Sequence, residues 1–182
     1  MTGIFPVFLL SGILAAVATA TPLLKPEDLA GKRVVLLGDS ITQQGTYVSF
    51  LEYYLLRENP GLEFDLISVG LSSETASGLS EDDHPFPRPC IHTRLDDVLA
   101  KTKPAVLFAC YGMNDGIYHP ASPEREEAYQ KGILQLVEKA KAAGVEKVIL
   151  LSPGTFEGKK TFSEPPHGYK RPHADYDQVL AG

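Results

Sequence analysis

Three short stretches carry the side chains that could do chemistry: Gly38-Asp39-Ser40-Ile41-Thr42, Gly70, and Gly112-Met113-Asn114-Asp115. Ser40 follows the apolar run 34–37 and precedes a stretch of helical spacing. A serine at the junction of strand and helix holds its hydroxyl at the positive end of the helix dipole, where an oxyanion is also stabilised. That placement suits acyl transfer. It suits equally a Ser40 or Thr42 that only caps the helix, as both residue types often do. Gly70 ends the next apolar run, and without a Cβ its backbone N–H can approach a substrate oxygen; a plain strand-ending turn fits the same residue. Asn114 offers an amide that can donate hydrogen bonds, although asparagine is also ordinary in turns.

The elements that must position these residues can be read from hydrophobic periodicity. The run 34–37 is continuously apolar, the pattern of a strand covered on both faces, and 64–69, 105–110 and 147–151 read as further strands. Tyr47, Phe50, Leu51, Tyr54 and Leu55 recur at helical spacing until Asn59-Pro60-Gly61, Ile91, Leu95, Val98 and Leu99 share one helix face, and 123–143 reads as a helix stopped by Gly144. Strands alternating with helices imply parallel crossovers, hence a three-layer α/β/α sandwich with a flavodoxin-like parallel sheet. In such sheets ligands bind beyond the carboxyl ends of the strands, where all three stretches and Ser152-Pro153-Gly154 fall. Residues 173–180 look like the start of a further helix. The chain therefore reads as a piece of a longer protein whose sheet lacks its last strand and helix.

In order, spacing and strand context, GDSIT at 38–42, Gly70 after the next strand and GMND at 112–115 resemble the SGNH (GDSL-type) hydrolase family, from about Lys32 onward. The resemblance implies that Ser40 is the nucleophile. It also implies an oxyanion hole built from the Ser40 and Gly70 N–H groups and the Asn114 side chain, with Asp39 supporting the serine turn. Two places depart from the family. Its asparagine before the glycine and its glycine three residues later are Ser68 and Ser73 here, while Thr75 fits. Its base histidine belongs to a D-x-x-H motif, and no D-x-x-H occurs in this sequence.

A serine hydroxyl is a poor nucleophile unless a positioned base takes its proton. Glu81-x-x-His84 and Glu164-x-x-His167 mimic the spacing, in the proline-rich connections 80–90 and 153–172. His84, His167 and Asp115 are expected at the substrate rim, and the base itself beyond the end of the chain.

Residues 4–20 are uncharged and end in Ala18-Thr19-Ala20, the pattern of a secretory leader cleaved after Ala20. The expected mature domain is 21–182, secreted or periplasmic, with no stable membrane insertion once the leader is removed. A formal charge of −6 without any Lys/Arg run excludes a nucleic-acid footprint. No C-x-x-C or H-E-x-x-H spacing supports a metal site, and no cofactor is expected. Cys90 and Cys110 allow one disulfide or two thiols. The reading that unites these features is an exported serine ester hydrolase acting on O-acyl, chiefly acetyl, groups of carbohydrate or similar small esters. The alternative is a non-catalytic glycan-binding or surface protein on the same fold. A nucleotide or phosphate binder is disfavoured because no glycine-rich phosphate loop occurs.

Overall fold

Four parallel strands, β1 (Arg33–Gly38), β2 (Asp65–Gly70), β3 (Val106–Cys110) and β4 (Lys147–Leu151), form one sheet in the order β2-β1-β3-β4. The structure is a computed structural model that describes residues 24–82, 84–156 and 176–181. The leader, His167, His173 and most of the 153–172 connection lie outside the described residues.

Strand side chains alternate between two cores, as a period of two requires. Val35, Leu37, Ile67, Val69, Leu107, Ala109 and Val148 face α3 (Leu95–Thr102) and α4 (Pro123–Ala142), which contribute Leu95, Leu99, Leu136 and Ala140. Val34, Leu36, Leu66, Phe108 and Ile149 face α2 (Thr46–Glu58), which contributes Val48, Leu51 and Leu55. Helices on both faces explain why residues 34–37 of β1 and 106–109 of β3 are apolar without a gap. The three-layer parallel arrangement expected from the sequence is the one observed.

Two helices differ in detail from the expected pattern. The helix after β1 is interrupted: α1 (Ser40–Gln44) stops at Gly45, whose left-handed φ of 77° turns the chain into α2. The segment containing Ile91 begins as a 3-10 turn (Ile91–Thr93) before α3, yet Ile91 stays in the core beside Leu95 and Leu99. A last short helix, α5 (Tyr176–Ala181), stands where 173–180 suggested one. Gly38 is level with Gly70 and Cys110, and Cys110 with Leu151, so all four strands deliver their following residues to one edge.

Close packing at one glycine fixes how α4 lies on the loop after β2. A Cβ at Gly132 would sit 2.1 Å from the carbonyl oxygen of Ala76, a backbone atom that cannot swing aside. Alanine favours a helix interior by about 1 kcal/mol over glycine, whereas forcing a methyl into a packed contact costs about 1–3 kcal/mol. Gly132→Ala is therefore expected to lower stability despite its better propensity, measured as an earlier urea midpoint. A later midpoint would mean that α4 rides free of the Ala76 loop.

Candidate active site

The turn that carries Ser40 is shaped by what lies beneath it. A Cβ at Gly38 would fall 2.2 Å from Thr42 Oγ1 and 2.7 Å from the Cys110 carbonyl oxygen, so only glycine lets α1 settle on the strand ends. Asp39 is the helix cap: its Oδ1 accepts from the Ile41 N–H at 2.9 Å. Ser40 is the first helical residue, is exposed, and its hydroxyl makes no hydrogen bond among the described residues. Thr42 is buried and pairs its hydroxyl with that of Tyr47 at 2.9 Å. Neither Ser40 nor Thr42 is the cap, which leaves the Ser40 hydroxyl available for chemistry.

The end of β2 is a seat for α1. A Cβ at Gly70 would lie 2.1 Å from the Gln43 backbone nitrogen. Around it the Ser68 hydroxyl donates to the Thr42 carbonyl at 3.1 Å, and the Ser72 N–H donates to Gln43 Oε1 at 2.7 Å. Asp65 and Leu71 donate their N–H groups to Lys32 and Gly38 of the β1 side. By the alternation of a parallel ladder the Gly70 N–H therefore turns to the open edge of β2. This corrects the expected donor role of Gly70: its missing side chain accommodates the serine helix, and its N–H points away from Ser40. The turn that follows is closed by the Glu74 N–H donating to the Leu71 carbonyl at 3.2 Å. Within it Ser73 has a left-handed φ of 64°, and its N–H donates no hydrogen bond among the described residues.

Asp115 and Asn114 divide the work of the turn after β3. Asp115 Oδ1 accepts from the N–H groups of Ala76 and Ser77 at 2.8 and 2.7 Å, and Oδ2 from Gly112 at 3.0 Å. At 2% exposure it is not on a substrate rim, as expected from the sequence, but ties the β3 turn to the loop after β2. Burial pushes its carboxyl up, and the backbone N–H donors oppose that shift. Asn114 is also buried. Its Nδ2 donates to the Glu74 carbonyl at 3.1 Å and lies 3.5 Å from Asp39 Oδ2, while its Oδ1 accepts from the Tyr118 hydroxyl at 3.3 Å. The Glu74 carbonyl can only accept, which fixes which end of the amide faces it. Asn114 and the Ser40 turn are thus brought together through Asp39.

Beneath Asn114 lies a network that the sequence reading missed. Glu74 is fully buried, held by Arg94 through two contacts of 2.6 Å and by the Tyr111 hydroxyl at 2.7 Å, and Arg94 also donates to the Val69 carbonyl at 3.1 Å. Glu74 raises the pKa of the Arg94 guanidinium, and burial with the neighbouring carboxylate keeps the Tyr111 hydroxyl a donor. The only sequence signal was an acid standing between Ser73 and Thr75.

Comparison with known proteins identifies the family and supports the fold. The model of the GDSL-like Lipase/Acylhydrolase family matches residues 36–182. The chain belongs to that family. Among solved structures, it is similar to the W215I variant of Axe2, an acetyl xylan esterase from Geobacillus stearothermophilus, at TM-score 0.57 and 20% identity over 85% of this chain and 72% of that one. It is similar to the acetyl xylan esterase AlAXEase at TM-score 0.53 and 19% identity, over 82% and 70%. It is also similar to a gut microbial diltiazem-metabolizing enzyme, at TM-score 0.55 and 20% identity over 84% of this chain and 33% of that one. No curated protein matches the sequence.

In this GDSL-like hydrolase the E-x-x-H spacing at 81–84 is not a carboxylate–histidine pair. Both Glu81 oxygens are taken by Arg88, each at 2.6 Å, in a buried ion pair. His84 is buried within the same loop, its Nδ1 against the Phe86 carbonyl and its ring edge-on to Phe86 at 4.6 Å, so it is not the rim residue the sequence suggested. Cys90 and Cys110 are separate thiols. A cavity of about 120 Å³ behind the GMND turn is lined by Gly112, Gly116, Tyr129, Pro153 and Leu180 among others, but not by Ser40 or Asn114.

Asp39 carries the electrostatic signature of the site. Burial lifts its carboxyl from the ordinary 3.8 to about 6, the Ile41 N–H opposes, and the charges of Asp115 and Glu74 add to the rise. An acid whose folded pKa lies above its unfolded one favours folding while protonated. That contribution is complete below about pH 4 and is lost as the pH rises through 6. Asp39→Asn keeps a capping side chain without the charge. It is expected to exceed the parent in stability at pH 8 by on the order of 2–3 kcal/mol and to approach it at pH 4. Urea unfolding at both pH values measures this, and a difference independent of pH would show that Asp39 titrates normally.

Proposed function

We propose that this GDSL-like hydrolase is an exported serine ester hydrolase that removes small O-acyl groups, acetyl foremost, from carbohydrate or similar small esters. The observation that carries the reading is the convergence of an exposed, unbonded Ser40 hydroxyl with a buried, oriented Asn114 amide at one edge of the sheet. Ser40 Oγ attacks the ester carbonyl carbon as its proton passes to a base, and the carbonyl oxygen becomes an oxyanion. The N–H groups of Ser40 and Ser73 and the second Nδ2 hydrogen of Asn114 are the donors offered to it, in a partly buried setting where such bonds strengthen. Collapse expels the alcohol with a proton from the base, and water then releases the acid from Ser40. No described histidine hydrogen-bonds to Ser40, so the base is assigned to residues outside those described.

The acetyl preference draws on the fold shared with two acetyl xylan esterases, and the carbohydrate preference on the polar, proline-rich connections 80–90 and 153–172. Export rests on the leader-like residues 4–20.

Hydrolysis of p-nitrophenyl acetate tests the serine mechanism. Without a D-x-x-H, the 182 residues are expected to work near the residual level of ~10³–10⁴-fold over water that binding and oxyanion donors sustain without a complete triad. A rate far above that level that depends on Ser40 would place the base within this chain and return His167 to the role. Asn114→Ala is expected to cost about 10²–10³ in turnover once a base is present. A fast rate that survives Ser40→Ala would defeat the serine mechanism.

A further inference from the structure

The residues after GMND hold an unusual backbone. Ile117 and Tyr118 are consecutive and both left-handed, with φ of 46° and 53°. Isoleucine in that region is a genuine outlier, because its branched Cβ crowds the following carbonyl. The strained turn is closed by the Ile117 N–H donating to the Asn114 carbonyl at 3.0 Å. It brings the Tyr118 hydroxyl back to Asn114 Oδ1 at 3.3 Å. The turn thus folds the phenol back onto the amide of the residue four positions earlier.

The Tyr118 ring is held from two sides. Tyr176 stacks on it at 4.9 Å and an interplanar angle of 18°, itself anchored by donating its hydroxyl to the Met113 carbonyl at 2.8 Å. The Arg88 guanidinium lies 5.4 Å from the ring centre. Arg88 is fixed by its buried pair with Glu81 and reaches the Ser73 carbonyl at 3.4 Å. Loop 80–90 therefore touches both the turn that offers the Ser73 N–H and the tyrosine that touches Asn114.

We infer that Tyr118 is a positioning residue for the oxyanion amide: its hydroxyl donates to Asn114 Oδ1 and so holds Nδ2 toward Glu74, Asp39 and the Ser40 turn. Arg88 and loop 80–90 keep the tyrosine in place. The inference rests on the esterase reading for its catalytic meaning, but the geometry it asserts can be tested without turnover.

Tyr118→Phe removes the hydroxyl and leaves the stacked ring. In the 182-residue protein, the Asn114 side-chain NH₂ pair, assigned by its loss in Asn114→Asp, is expected to shift in the ¹⁵N–¹H spectrum of Tyr118→Phe and not in that of the distant Tyr53→Phe. A pair that does not move overturns the inference. Turnover of p-nitrophenyl acetate by protein that includes the base supplies the second readout: Tyr118→Phe is expected to lower kcat about three- to ten-fold with KM unchanged, the worth of one hydrogen bond. In an Asn114→Ala background the same change is expected to have no further effect, since the tyrosine acts through the amide. Equal losses in both backgrounds overturn the positioning role. If no turnover depends on Ser40 at all, the esterase reading falls, while the spectral shift still decides whether Tyr118 orients Asn114.

Discussion

The site depends on how closely α1 approaches the ends of β1 and β2. Thr42 Oγ1 and the Gln43 backbone nitrogen occupy the volumes that side chains at Gly38 and Gly70 would fill. With those two positions empty, a five-residue helix lies against two strand termini, clasped by Ser68 and Ser72, and its first residue projects outward. Gly45 then ends the helix before its far end can lift away from the sheet. Ser40 is placed by backbone packing and a carboxylate cap, with no hydrogen bond to its own side chain among the described residues. That leaves the hydroxyl free to meet a substrate.

Three buried carboxylates surround this seat, and they are not equivalent. Glu74 is fully buried with Arg94 beside it. Asp115 has no cation among its contacts but accepts three backbone N–H bonds, which hold two loops together. Asp39 has one backbone donor and the near amide of Asn114, and of the three its environment leaves the charge least compensated. Its raised pKa follows from burial first, with the charges of Asp115 and Glu74 adding and the backbone donors opposing. In the proposed reaction this has a consequence, because an ionised Asp39 competes with a developing oxyanion for the Nδ2 hydrogen that Glu74 does not take. A protonated Asp39 does not.

The fold was legible in the sequence because apolar-rich runs alternate with segments of helical spacing, and these located all four strands to within a residue or two. Ser40 and Asn114 were legible for a related reason: each lies a few residues beyond the end of such a strand. Gly70 was found but given the wrong work, since a glycine needed for close packing and one needed for a free N–H look alike until the ladder register is known. Asp115 failed in the same manner, as a charged residue beside a site reads as substrate-facing whether it points outward or inward. Glu74, Arg94, Tyr111 and Tyr118 left no local signal because their partners lie 20 or more positions away or depend on a backbone conformation that residue type disfavours. The E-x-x-H spacing at 81–84 misled because a nearer cation, Arg88, claims the carboxylate.

The placement of strain follows from this division. Left-handed isoleucine and tyrosine each cost on the order of 1–2 kcal/mol, so the turn at Ile117 and Tyr118 persists only because other contacts over-determine it. Those contacts are the Tyr176 stack, the Arg88 guanidinium and the bond to Asn114. Gly116 is part of the same arrangement, since a Cβ there would meet the Tyr176 hydroxyl at 2.6 Å. Two glycines let α1 lie against the strands and a third lets Tyr176 lie against the GMND turn. The strand ends set Ser40 from one side and the aromatic packing sets Asn114 from the other. Under the proposed ester hydrolysis, Ser40 and Asn114 are held in place before any base reaches them.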